Sequence, residues 1–126
     1  MKKIKLILLF FVVTFSMNFC TKNVDVITMQ QFQSEVLDKD TIVLDVRTEE
    51  EYYGPLGHID GAILIPINEL ESRMDELKKF QDETIYVVCR SGNRSNFGKD
   101  ILIEKNFKAV NVDGGMLAWK ADKDAR

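Results

Sequence analysis

Apolar residues along this chain fall into short unbroken runs separated by stretches of helical spacing. Thr84-Ile85-Tyr86-Val87-Val88 is one such run, and Thr41 to Leu44, ending at Asp45, is another. Val24 to Ile27, Ile63 to Ile65 and Ala109 to Val112 are shorter, and Pro66 stops the second of these. Runs without polar alternation suit strands buried on both faces, as in a parallel sheet covered by helices. Between the runs, Thr28-Met29-Gln30-Gln31 fits a capping box that opens a helix through about Leu37, with Phe32 and Val36 inward. Asn68 caps a helix through about Phe80, where Leu70, Met74 and Leu77 recur at helical spacing. Asn96 to Lys105 predicts a helix with Phe97, Ile101 and Leu102 as its buried stripe and Gly98 allowing close approach to the sheet. Gly114-Gly115 fits a tight turn into a last helix from about Met116 to Ala121, with Trp119 in the core. Strands alternating with helices predict one α/β domain over residues 24–121, a three-layer α/β/α arrangement around an open, mainly parallel five-stranded sheet.

Composition narrows the function. The 126 residues, 45% hydrophobic and 29% charged, can fold one compact domain and little else. Net charge is -3, but Lys2, Lys3 and Lys5 all precede the domain; from Cys20 onward 14 basic residues face 20 acidic ones, a balance of -6. Such a body repels nucleic acid and anionic membrane surfaces. A single histidine, His58, excludes a histidine-based metal cluster.

One segment runs against the acidic background. Cys89-Arg90-Ser91-Gly92-Asn93-Arg94-Ser95 leaves the strand ending at Val88 and enters a helix, with no acid before Asp100. A strand-to-helix loop aims successive N–H groups at one point, and the helix N-terminus adds partial positive charge there. N–H donors and arginines favour thiolate over thiol, so Cys89 is the natural nucleophile, set in a cradle for a small anion. Ligands of open α/β sheets bind beyond the carboxyl ends of the strands, where Cys89, Asp45 and Asp113 all fall.

This loop resembles the active-site loop of rhodanese domains, sulfurtransferases that carry sulfur as a cysteine persulfide. Further segments match in the family's order: Leu44-Asp45-Val46-Arg47 followed by Glu51-Tyr52, then Gly57-His58-Ile59-Asp60-Gly61-Ala62, then Asp113-Gly114-Gly115 with Ala118-Trp119. The resemblance spans roughly Val24 to Lys120. It implies that Asp45 and Arg47 brace the site, that His58 is a hydrogen-bonded packing residue, and that no metal or organic cofactor takes part. The stretch from Tyr52 to Gly57-His58 is longer than the commonest family spacing, which enlarges a loop near the site.

The expected chemistry is attack of the Cys89 thiolate on the outer sulfur of thiosulfate or a similar small sulfur-containing anion. Arg90 and Arg94 neutralise donor and leaving group, and the N–H groups of Ser91, Gly92, Asn93, Arg94 and Ser95 hold the developing charge. The persulfide then passes its sulfur to cyanide, a thiol acceptor or a redox partner protein. Two alternatives stay open. One is a low-turnover persulfide carrier. The other is a phosphatase or arsenate reductase of the related fold, although that chemistry needs cysteine, five residues, then arginine, and Ser95 occupies the arginine's place.

Met1 to Phe19 reads as a signal peptide, lysines first and then the apolar run Leu6 to Val13, or as a retained N-terminal anchor. Cys20 stands where a bacterial lipoprotein carries its lipidated cysteine, with Phe19 in place of the usual small residue. The expected location is exported, in the periplasm or as a membrane-anchored lipoprotein of a bacterium, with a possible membrane tether at the N-terminus. A Cys20–Cys89 disulfide is not expected, since it would silence the nucleophile.

Overall fold

The computed structural model describes residues 24–126, so Met1–Phe19 and Cys20 lie outside the described residues. Five strands, β1 (Val26–Thr28), β2 (Ile42–Asp45), β3 (Ile63–Leu64), β4 (Thr84–Val88) and β5 (Lys108–Asp113), form one sheet in the order β1-β5-β4-β2-β3. Every pairing is parallel, with Asp45 opposite Val88 and Leu44 opposite Val87 across the centre. The central strand β4 therefore delivers Cys89 to the carboxyl edge between the ends of β2 and β5.

Side chains of β4 alternate between two cores, as a pleated strand requires. Ile85, Val87 and, beyond the strand end, Cys89 face a core with Leu44, Val46, Leu77 and Leu102. Val88 and Tyr86 face the other, with Phe32, Val112, Met116 and Trp119. Both faces are covered, which is why the strands read as continuous apolar runs.

The helices differ from their expected form in informative ways. Thr28 caps α1 (Met29–Gln31) in a reciprocal box with Gln31, but the turn then widens over Phe32–Val36, closed by the Leu37 N–H on the Phe32 carbonyl at 2.8 Å. That wide turn keeps Phe32 and Val36 against one core. The segment expected as one helix from Asn68 is two 3₁₀ pieces, Ile67–Glu69 and Glu71–Phe80, the second kinked at Arg73. Three residues per turn puts Met74, Leu77 and Phe80 in one row against the sheet, a better match to their spacing than an α-helix gives. Thr48 and Glu51 form a second capping box around α2 (Glu49–Tyr52), an element the apolar pattern is too short to announce.

Helix α3 (Asn93–Glu104) begins three residues earlier than its apolar spacing suggests, because Gly92 takes φ 117° and starts the helix inside the loop. Its buried face is Ser95, Gly98, Lys99, Ile101 and Leu102, whereas Phe97 is 60% exposed and does not belong to the stripe. Ser95, Gly98 and Leu102 lie along the sheet, and at 100° per residue Phe97 is turned roughly 200° from Ser95. A Cβ on Gly98 would already stand 3.3 Å from Ile67 and 3.5 Å from Val46 and Val87, so this small residue sets how closely α3 approaches.

Helix α4 (Gly115–Asp124) runs past Ala121 and is entered through Gly114 and Gly115 at φ 89° and 55°. A Cβ on Gly115 would stand 2.5 Å from the Cys89 carbonyl oxygen and 2.6 Å from that of Arg90. Backbone meets backbone here, so neither side can yield cheaply. Gly115→Ala is expected to destabilise the domain by at least about 3 kcal/mol, from positive φ and overlap together. Urea unfolding monitored at Trp119 checks this.

Candidate active site

The loop after β4 is shaped by what its carbonyls bind. Met116 N–H donates to the Cys89 carbonyl (2.8 Å) and Leu117 N–H to the Arg90 carbonyl (3.0 Å), so the first turn of α4 takes the oxygens on one side. The Gly92 carbonyl accepts from the Asn111 side-chain amide (3.3 Å) and from Asn96 N–H (3.2 Å). The Arg90 oxygen shares its peptide plane with the Ser91 N–H, which is thereby turned inward, towards the sulfur.

Gly92 N–H donates to Cys89 Sγ at 3.1 Å, and Ser95 Oγ lies 3.2 Å away on the other side. Burial of Cys89, which is 1% exposed, pushes the thiol up. The Ser95 hydroxyl and the N–H groups of Ser95, Gly92 and Ser91 outweigh it, leaving the pKa below its ordinary value. Of the five N–H groups expected to act, these three are aimed at the sulfur. Hydrogen bonds, more than the arginines, favour the thiolate; Ser95 Oγ is then the donor, since a thiolate only accepts.

The two loop arginines part company. Arg90 is exposed and forms no ion pair among the described residues. Arg94 is turned away to a carboxylate 43 residues earlier: its two terminal nitrogens each donate to one oxygen of Glu51, both at 2.7 Å. Arg94, expected with Arg90 to neutralise donor and leaving group, is thus paired with an acid from α2, which a loop without a local acid does not reveal. Arg94 holds the Glu51 carboxyl down to about 2, against the opposing effect of burial and with help from the Thr48 N–H.

Asp45 and Arg47 are both fully buried beneath this region. Arg47 Nη2 donates to Asp45 (2.8 Å) and the Gly57 carbonyl (2.7 Å), Nε spans both Asp45 oxygens, and Nη1 reaches the Glu51 carbonyl at 3.2 Å. One guanidinium thus ties the end of β2 to α2 and to the longer loop behind it. His58 stacks on Tyr52 at 3.8 Å, its Nδ1 donating to the Tyr52 carbonyl at 3.0 Å, a packing arrangement.

The sequence reading leaves two residues out of the site. Glu51 was visible as the third residue after Thr48 in a capping pattern, and Asn111 as the polar interruption of an apolar strand. Nothing local says what either one reaches.

A family model described as Rhodanese-like domain matches residues 28–122. The chain belongs to the rhodanese-like domain family. It is 38% identical over 95 residues to "Putative sulfur carrier protein YrkF" of Bacillus subtilis (strain 168), covering 74% of this chain and 49% of that protein, about half its length. Identity is also 38% over 85 residues to "Putative sulfurtransferase YtwF" of the same organism, covering 68% of this chain and 79% of that one. Among solved structures, a rhodanese-like domain protein from Staphylococcus aureus aligns with a TM-score of 0.67 at 34% identity, covering 75% of this chain and 90% of its own. Sulfur transfer is the chemistry at family level, and the parallel five-stranded α/β sheet is the architecture shared with these neighbours.

Two consequences for this rhodanese-like domain are measurable. Arg47→Ala leaves Asp45 charged and buried without a partner, so unfolding free energy is expected to fall by about 3–5 kcal/mol in urea titration. Arg47→Lys should not restore it, since an ammonium cannot span the same acceptors. Ser95→Ala removes a donor to the thiolate and should move the Cys89 titration to higher pH, read as thiolate absorbance against Cys89→Ser. Because the folded thiol ionises below its ordinary value, its ionised form stabilises the fold in full above the unfolded pKa. That contribution is lost as pH falls through the folded pKa, and Ser95→Ala should diminish it.

Proposed function

We propose that this rhodanese-like domain moves sulfane sulfur through a persulfide on Cys89. The observation that carries the reading is the Cys89 sulfur at the carboxyl end of the central strand, held between the Gly92 N–H and the Ser95 hydroxyl at the N-terminus of α3. A lowered thiol pKa raises the fraction of nucleophile at neutral pH.

In the first half-reaction the thiolate attacks the outer sulfur of the donor. A Cys89–sulfur bond forms, the donor's sulfur–sulfur bond breaks, and its electron pair leaves with the departing group; thiosulfate would release sulfite. The charge then rests on the terminal sulfur of the persulfide, and the inward N–H groups of the loop are the donors that stabilise it. In the second half-reaction cyanide or an acceptor thiolate attacks that terminal sulfur, and the electron pair returns to Cys89 as thiolate. Protons need not move in either step, which fits a site whose only nearby histidine is packed against tyrosine.

A second reading, a persulfide relay with little turnover of its own, is favoured by the 1% exposure of Cys89 and by a relative named for sulfur carriage. Such burial restricts free exchange with solutes and leaves delivery to a docked partner. If the chain is exported, as its first 19 residues suggest, such a partner also keeps Cys89 reduced or persulfidated in an oxidising compartment.

Intact mass after donor treatment tests both. Wild-type protein lacking residues 1–19 is expected to gain the mass of one sulfur, reversed by cyanide, and Cys89→Ser to gain none. Steady thiocyanate production from thiosulfate and cyanide identifies the enzyme, and a stable persulfide without turnover identifies the relay. No added sulfur, with hydrolysis of an aryl phosphate instead, overturns the proposal in favour of phosphatase chemistry.

A further inference from the structure

Glu51 is fixed from several directions. Its carboxylate accepts from the Thr48 N–H (3.1 Å) and hydroxyl (3.2 Å) as part of the α2 cap, and its backbone carbonyl accepts from buried Arg47 (3.2 Å). Against this anchored carboxylate Arg94 makes a two-pronged pair, both contacts at 2.7 Å, in which both charges are stabilised: Glu51 well below the usual carboxylate range and Arg94 above its ordinary value. The pair is partly buried, the side chains being 36% and 28% exposed. Arg94 therefore belongs to the loop covalently but contributes little net positive charge to an anion there.

The residues lining the cleft beside Arg94 carry no further positive charge. The cleft beside Arg94 is lined by Ile67, Asn68, Asn93 and Phe97. On the other flank Asp113 places a carboxylate oxygen 2.8 Å from where a Gly92 Cβ would stand. Arg90 is left as the one loop guanidinium without an acid partner among the described residues.

Donor charge then matters. Attack of a thiolate on thiosulfate gathers three negative charges, whereas attack on an organic persulfide anion gathers two. In the latter case the Cys89 thiolate bonds the terminal sulfur, the persulfide bond breaks, and its electron pair leaves on an organic thiolate. We infer that Glu51 is a specificity-determining residue that, by neutralising Arg94, turns the site away from the thiosulfate dianion and towards organic persulfide donors. The inference rests on the Cys89 persulfide reading and acts through Arg94, not through contact with sulfur.

Glu51→Gln is the informative substitution, since glutamine keeps the capping position while losing the charge. The rate at which Cys89 gains one sulfur is measured by intact mass with thiosulfate and, separately, with cysteine persulfide. The ratio of the thiosulfate rate to the persulfide rate should rise about tenfold or more in Glu51→Gln, and fall back when Arg94→Gln is added. Thermal melting confirms that each variant is folded. A ratio within about twofold of wild type, or a gain that survives Arg94→Gln, overturns the inference. Thiosulfate binding by calorimetry, compared between Cys89→Ser and Cys89→Ser/Glu51→Gln, needs no sulfur transfer: about tenfold tighter binding in the double variant supports the Glu51 assignment even if Cys89 takes no sulfur. Unchanged binding in a protein that does take sulfur counts against Glu51 alone.

Discussion

Each peptide group in the loop after β4 has an oxygen and an N–H pointing in opposing directions, and the site depends on where the oxygens go. Met116 and Leu117 take those of Cys89 and Arg90, while Asn111 and Asn96 take that of Gly92. The bond to the Arg90 oxygen also turns the Ser91 N–H, in the same peptide plane, towards Cys89 Sγ, where the Gly92 N–H donates at 3.1 Å. The arrangement requires α4 to approach within backbone contact, which is why glycine stands at position 115. It also requires an amide on β5, set between the apolar Val110 and Val112. Asn111 pays for that role with a buried side-chain oxygen that has no partner among the described residues.

Electrostatics are divided between a sulfur that is favoured as an anion and a surround that is mostly acidic. The thiolate gains from short-range, oriented hydrogen bonds, which a nearby carboxylate does not cancel. Long-range charge is handled differently. Arg47 is spent on holding Asp45, α2 and the following loop together, and Arg94 is spent on Glu51, so two of the three guanidinium groups near the site are structural in their contacts. A cradle stabilised by dipoles and nearly stripped of net positive charge is suited to holding one anionic sulfur atom more than to collecting multiply charged oxyanions.

What could be read along the chain follows from interactions between near neighbours. The apolar runs of β2 and β4, the Thr28 capping box, the strand–loop–helix around Cys89 and the glycine turn before α4 each depend on residues a few positions apart. That was enough to determine a parallel α/β domain and to single out the cysteine loop. Boundaries were less legible where tertiary packing chose between similar local forms. The spacing of Met74, Leu77 and Phe80 fits a 3₁₀ row better, but an α-helix tolerates it too, and only the sheet beneath them decides. Phe97 looks like a core residue by type, yet Ser95 and Gly98 turn the helix so that it faces outward.

The partner of Arg94 was decided by the fold alone. Arg94 and Glu51 lie 43 residues apart and meet because β2 and β4 are adjacent in the sheet, bringing α2 beside the loop. Total burial of Arg47 follows from the same juxtaposition. Periodicity carries information about which face a residue occupies, but an ion pair between residues far apart in sequence needs two elements placed by the sheet order. The sequence by itself thus singled out the cysteine loop and the glycine turn beside it, which are local, while the tertiary structure decided which distant charged groups pair around them, because those pairs need the sheet order.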